Sequence, residues 1–288
     1  MHTLSNNVLG IKVASRGAEL QSIYSKVTGI EYLWQAGPEW PKTSPVLFPI
    51  VGGLKNNTYQ HEGKHYQLNR HGFAREMDFV LADQTENTLT FLLQSNPETL
   101  KLYPFPFNFR VKYTLHSNML EVTFLVQNTG NNTMFASVGA HPAFNVPLVN
   151  DTAYEDYLLV FNKAEQADRW PLSEEGLIAE KATPFLENTV SLPLKKELFA
   201  KDAIVFKSLQ STSITLVSNK TKHGIKMRFG GFPYMGIWAA KGANFVCIEP
   251  WCGIADGVEA SGNLADKEGI HSIPSHGIFE RSYSIELF

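Results

Sequence analysis

At 288 residues, with Lys+Arg 25 against Asp+Glu 28 and a formal net charge of -3, the chain lacks the basic excess of a protein built to grip a nucleic-acid backbone. Hydrophobic residues at 43% and charged residues at 18% exclude a disordered chain. No apolar run reaches the ~18 residues of a bilayer span, and area scaling predicts a folded surface of roughly 12,000 Å² over a large core.

Met1 to Gly10 is polar, with Ser5, Asn6 and Asn7 and no basic stretch ahead of an apolar one, which predicts a cytoplasmic protein. In chain order, Tyr59–Gln67 reads as a small hairpin turning at Glu62-Gly63, and Thr88–Leu93 as a strand. Phe107–Tyr113 puts Phe107, Phe109, Val111 and Tyr113 on one face. Leu120–Val126 follows after a turn at Ser117-Asn118, so the two runs predict a hairpin with one buried face. Met134–Val138 is a short apolar strand, and Leu194–Phe199 is the only candidate for a short helix. Ile204–Lys207, Ile214–Ser218, Ile225–Phe229 and Phe245–Glu249 read as further strands. Many short strands with frequent turns predict an all-β protein, a large antiparallel sandwich or barrel, and residues 1–288 as a single domain.

Against this background several polar segments could carry chemistry. Phe48–Asn57 contains Gly52-Gly53, which is either a strand end with a glycine turn or backbone brought close to a ligand. It is not a phosphate loop, because no Gly-Lys-Ser/Thr follows. Arg70-His71-Gly72-Phe73-Ala74-Arg75 sets a histidine between two arginines that could bond hydroxyls or anions. Gly139-Ala140-His141-Pro142 places an imidazole at a strand end, either structural or a general acid or base. Alternation over Phe245–Glu249 puts Phe245, Cys247 and Glu249 on one face, so Glu249 is an acid ending an apolar strand beside Trp251. Such a carboxylate must pair or serve as a base with a shifted pKa. Asp202 precedes an apolar strand and reads by itself as a turn or cap residue. Cys247 and Cys252 are too few for a disulfide framework or a structural zinc site and are expected as reduced thiols. None of the nine histidines lies next to them in the sequence, so no metal site is predicted. No Gly-x-Ser-x-Gly elbow marks a serine hydrolase.

Taken together and in order, Ser44–Asn57, His71–Arg75, His141–Asn145, Lys201–Phe206, Met235–Trp238 and Cys247–Asp256 resemble the aldose 1-epimerase (galactose mutarotase-like) family, most of all its LacX-like bacterial branch. The resemblance runs from about Val46 to Leu287 and weakly through the N-terminal strands. It implies a large antiparallel β-sandwich that interconverts the α and β anomers of a free monosaccharide with no cofactor and no metal. It implies Glu249 as general base, His141 as general acid, and His71, Arg75 and Asp202 as sugar contacts. Acid and base would then both be charged at the same pH. The family commonly has an arginine where this chain has Gly53; Lys55, two residues on, is the expected substitute. A silent sugar-binding or sensing protein and a hexose 6-phosphate epimerase are the alternatives, and a glycoside hydrolase built on Glu249 and Asp202 leaves the histidines unexplained. A monomer and a homodimer both remain open.

Overall fold

The computed structural model describes residues 1–288. Its accessible surface is 12567 Å², close to the value expected for this mass. Every strand pairing is antiparallel, and two sheets dominate. The large one has nine strands, ordered Thr183–Pro193, Tyr157–Arg169, Ser213–Ser218, Thr221–Arg228, Ile278–Leu287, Met119–Asn128, Phe107–His116, Thr88–Gln94 and Val80–Gln84. At its centre Phe107–His116 and Met119–Asn128 pair from Met119↔His116 to Asn128↔Phe107 around the Ser117-Asn118 turn, and their side chains alternate between buried and more exposed except at Tyr113–Leu115, where three in a row are buried. That alternation marks a sheet with one face in the core and one toward water.

The smaller sheet runs Ile204–Phe206, Tyr234–Trp238, Phe245–Trp251, Gly139–Ala140 and Val46–Leu47, with Ala143–Asn145 also paired to Phe245–Trp251. Phe245–Trp251 is buried at every position, so both faces of this sheet are covered. One apolar cluster of 71 buried residues, from Leu4 to Leu287, joins the inner faces of both sheets. A second cluster that includes Leu47, Val205, Trp251 and Ile254 covers the opposite face of the smaller sheet. The molecule is thus an all-β antiparallel sandwich, as the strand pattern predicts.

The predicted hairpin within Tyr59–Gln67 forms, and Glu62 and Gly63 both take positive φ (49° and 74°) at its tip, the twist a two-residue turn requires. Leu194–Phe199 contributes only a short 3₁₀ turn over Lys196–Phe199. The single α-helix is Pro97–Leu102, which the periodicity does not reveal. Its signal is local: Asn96 accepts the N–H groups of Glu98 and Thr99, the Thr99 hydroxyl accepts the Asn96 N–H, and Pro97 occupies the first turn. No helix is long and apolar enough to cross a membrane.

Candidate active site

Strand register brings the two expected catalytic side chains together. Gly139 pairs with Trp251 and Ala143 with Cys247. Position 141 therefore falls opposite position 249, in the gap between the two short strands where Pro142 interrupts the ladder. His141 Nε2 stands 3.2 Å from Glu249 Oε2, within ion-pair reach but off the line of a hydrogen bond, which leaves Glu249 Oε2 without a partner; the other ring nitrogen, His141 Nδ1, has none either. Glu249 is 1% exposed.

On the far side of Glu249 its strand neighbour is Gly236. A Cβ there would stand 2.5 Å from the Trp251 indole, so only glycine leaves room for that ring beside the carboxylate. Trp251 draws the Glu249 pKa down, but burial outweighs it and the nearby Asp202 adds to the rise, so the carboxyl is held well above its usual range. Burial also pushes the His141 pKa down to about 3, with Arg75 adding to the fall and a backbone hydrogen bond opposing it. Both shifts favour uncharged groups. Burial thus works against the two charged groups expected from sequence.

His71 is fixed by its backbone. It adopts φ 69°, its N–H donates to Gly52 O at 2.9 Å, and the Gly52 N–H donates to its Nδ1 at 3.1 Å. Nδ1 is therefore an acceptor, and in the neutral ring Nε2 carries the proton and is the donor. Burial holds the ring neutral, helped by His141, Arg75 and Arg70. Gly52 itself has φ 74° and faces the Ala255 backbone with no space for a Cβ, so this glycine serves a tight turn packed against protein backbone. Asp202 sits at φ 120°, a conformation that side chains rarely adopt, with Oδ1 accepting the Ala203 N–H at 2.7 Å.

Glu249, His141, His71, Arg75 and Asp202 all line one cavity of about 430 Å³, a size suited to a small polar ligand. Lys55 does not line it. The Lys55 backbone N–H bonds Asp256 Oδ2 at 3.0 Å, and Gly53 O accepts the Asp256 N–H at 2.9 Å, so the chain turns away from the cavity here. The cation beside this segment is Arg70, whose guanidinium lies over Gly176, close to where a Gly53 side chain would point. Its Nη2 reaches Glu175 O at 3.4 Å, while Arg75 donates to Arg70 O at 3.0 Å.

Sequence reading misses Trp40. Its indole stacks on the His141 ring at 5.0 Å and 25°, while Trp238 meets the same ring edge-on at 5.7 Å. The Trp40 loop is anchored by buried Glu19, which accepts the Thr43 and Ser44 N–H groups at 2.8 and 3.0 Å. The available signal was an indole between prolines in Gly37-Pro38-Glu39-Trp40-Pro41.

The arrangement can bond several hydroxyls at once and move a proton between two points on one ligand. Comparison with known proteins places the whole chain in a family. The family model described as aldose 1-epimerase matches residues 1–263. The chromosomal LacX protein of Lactococcus lactis subsp. lactis is 38% identical over 295 residues, covering 99% of this chain and 98% of that protein. A galactose mutarotase related enzyme from Lactobacillus acidophilus superposes with a TM-score of 0.94 at 37% identity, covering 100% of this chain and 97% of that one. A galactose mutarotase-like protein from Lactobacillus casei gives 0.94 at 29% identity, with both chains covered fully.

Proposed function

The chain belongs to the aldose 1-epimerase family, and we propose that it is a cytoplasmic, single-domain aldose 1-epimerase acting on a free hexose without a cofactor. A sugar epimerase role, and with it an isomerase-type enzyme, is what the family supports; the acid–base route and its residues are our reading. What supports that route is the pairing of Glu249 with His141 at 3.2 Å, both lining one cavity.

Ring opening of a hemiacetal removes the proton from the C1 hydroxyl and delivers a proton to the ring oxygen. Glu249 takes the first and His141 gives the second. The closed sugar thus requires a carboxylate and an imidazolium, and once the ring is open the pair has become a carboxylic acid and a neutral imidazole. Burial favours that uncharged pair both before reaction and after opening, so forming the charged pair is part of the barrier. Before reaction the Glu249 carboxyl proton passes to the His141 imidazole, which needs the 3.2 Å contact to close into a hydrogen bond. After rotation about C1–C2, closure on the other face returns both protons and restores the charged pair. Each proton transfer contributes ~10²–10⁴-fold, roughly 3–5 kcal/mol. His71 Nε2–H, Arg75 and Asp202 hold hydroxyls, and Trp40 and Trp238 shield the imidazole from water.

A polarimetric screen of freshly dissolved α-glucose, α-galactose and their 6-phosphates tests the reading, with Glu249→Gln as control. The phosphorylated sugars belong in the screen because Arg70 and Arg75 line the same cavity. Sugar binding by calorimetry with no acceleration of mutarotation would make the protein a sensor instead.

A further inference from the structure

The face that presents Glu249 also presents a thiol. Cys247 precedes it by two residues on Phe245–Trp251, so both side chains leave the same side of the strand. The imidazole of His141, the thiol of Cys247 and the carboxylate of Glu249 place their donor atoms within 4.8 Å of one another. Imidazole, thiolate and carboxylate are the three ligand types of zinc sites, and three of them with an open fourth position make the usual exchangeable arrangement. Bonds of ~2.0–2.3 Å in a tetrahedron hold ligands roughly 3.3–3.8 Å apart, so the outermost donors need to close by only about 1 Å. A second observation points the same way. Glu249 is 1% exposed, and its Oε2 has no hydrogen-bond partner. A cation would satisfy that oxygen; His141 and Glu249 line the cavity from which it would enter, and Cys247, 0% exposed, lies behind them.

We propose that His141, Cys247 and Glu249 form a binding site for a thiophilic divalent cation, Zn²⁺ or Cd²⁺, whose occupation shuts the sugar reaction off. The inhibitory consequence rests on the epimerase reading; the binding itself does not. On coordination the ion sheds bound waters, Cys247 and Glu249 release their protons to solvent, and no electron changes hands. The lone pairs that would accept and return sugar protons are then bound to metal. Sulfur supplies the selectivity, because Mg²⁺ and Ca²⁺ take oxygen ligands. Cys252, the other buried free thiol, is outside this cluster.

The test is a Cd²⁺ titration of the metal-free full-length protein, followed by sulfur-to-cadmium charge-transfer absorption and by calorimetry, with polarimetry on the same samples. The expected result is one ion per chain, a charge-transfer band, and loss of mutarotation that a chelator reverses. Cys247→Ser and Glu249→Gln should each weaken Cd²⁺ by at least about 100-fold. Cys252→Ser should leave it unchanged, and Mg²⁺ should not compete. Cys247→Ser should retain wild-type turnover and lose sensitivity to Cd²⁺. If a thermal melt shows Cys247→Ser unfolded, Glu249→Gln and Cys252→Ser decide the assignment. No band, a band surviving in Cys247→Ser, or a band lost in Cys252→Ser would overturn the proposal. Failure of the epimerase reading would look different: the band would persist in a protein with no mutarotation to inhibit.

Discussion

Glu249→Gln separates catalysis from structure because the geometry predicts opposite signs for the two. Glutamine keeps the side chain's volume and cannot take the hemiacetal proton. Loss of a general base costs ~10²–10⁴-fold in kcat, about 3–5 kcal/mol of transition-state stabilisation. Stability should move the other way. Burial holds the folded-state pKa of Glu249 well above its ordinary 4.5, so the fold prefers the protonated acid. The associated stability is fully present below 4.5 and is lost as pH rises toward the folded value. Glutamine has no proton to lose and suffers no such decline. At pH ~7 the variant should therefore unfold in urea at the same or higher concentration than wild type, while its polarimetric rate on fresh α-glucose or α-galactose collapses; near pH ~4 the two should unfold alike. Wild-type turnover in the variant would refute the assignment. So would lost turnover accompanied by several kcal/mol of destabilisation at neutral pH, which would make Glu249 a structural group.

Three further predictions follow from the same contacts. The working pair carries one proton, so kcat/KM should fall on the acid side as His141 takes a second one, near its depressed value of about 3, and not near the ordinary 6.5; an acid limb at 6.5 counts against a buried pair. The alkaline limb, where Glu249 gives up that proton, should lie well above 4.5. His71→Phe leaves the buried Gly52 N–H without its acceptor and should cost ~1–3 kcal/mol in a thermal melt; His71→Asn, whose amide oxygen can accept that N–H, should recover part of it. Lys267 is buried and donates to Asp256 Oδ1 at 2.8 Å and Ile254 O at 2.7 Å, beneath the loop that walls the cavity. Lys267→Met should destabilise by ~3–5 kcal/mol in urea titration, because Asp256 is left as a buried charge, and adding Asp256→Asn should restore most of the loss.

Where a strand's own alternation is strong, its place was written in the chain. Phe107–His116 and Met119–Asn128 carry enough apolar residues at every second position to declare a buried face, and a two-residue turn fixes their pairing. The same local rule exposed Glu249 as an acid closing an apolar strand. Tyr157–Arg169 was not legible. Its second half is Asn-Lys-Ala-Glu-Gln-Ala-Asp-Arg, a polar run held extended by Thr183–Pro193 through a pairing with several register shifts. The partner strand, with Asn162 and buried Glu165 accepting N–H groups from residues 210–213, makes that run a strand.

The site divides in the same way. Residue types and motif order named Glu249, His141, His71, Arg75 and Asp202 as candidates, since chemistry resides in side chains and those are read directly. Which of them meet depends on cross-strand register, and register links positions more than a hundred residues apart. That pairing sets position 141 opposite 249 and brings Cys247 into the same cluster, although no histidine neighbours a cysteine in the sequence. Lys55 lies outside the cavity, its backbone tied to Asp256, while Arg70 lines it. Protonation was likewise beyond a one-dimensional reading. A carboxyl and an imidazole exposed to water would both be charged over part of the neutral range, whereas enclosure by two sheets and two indoles favours their neutral forms, because desolvation is a property of the packed volume and not of the chain.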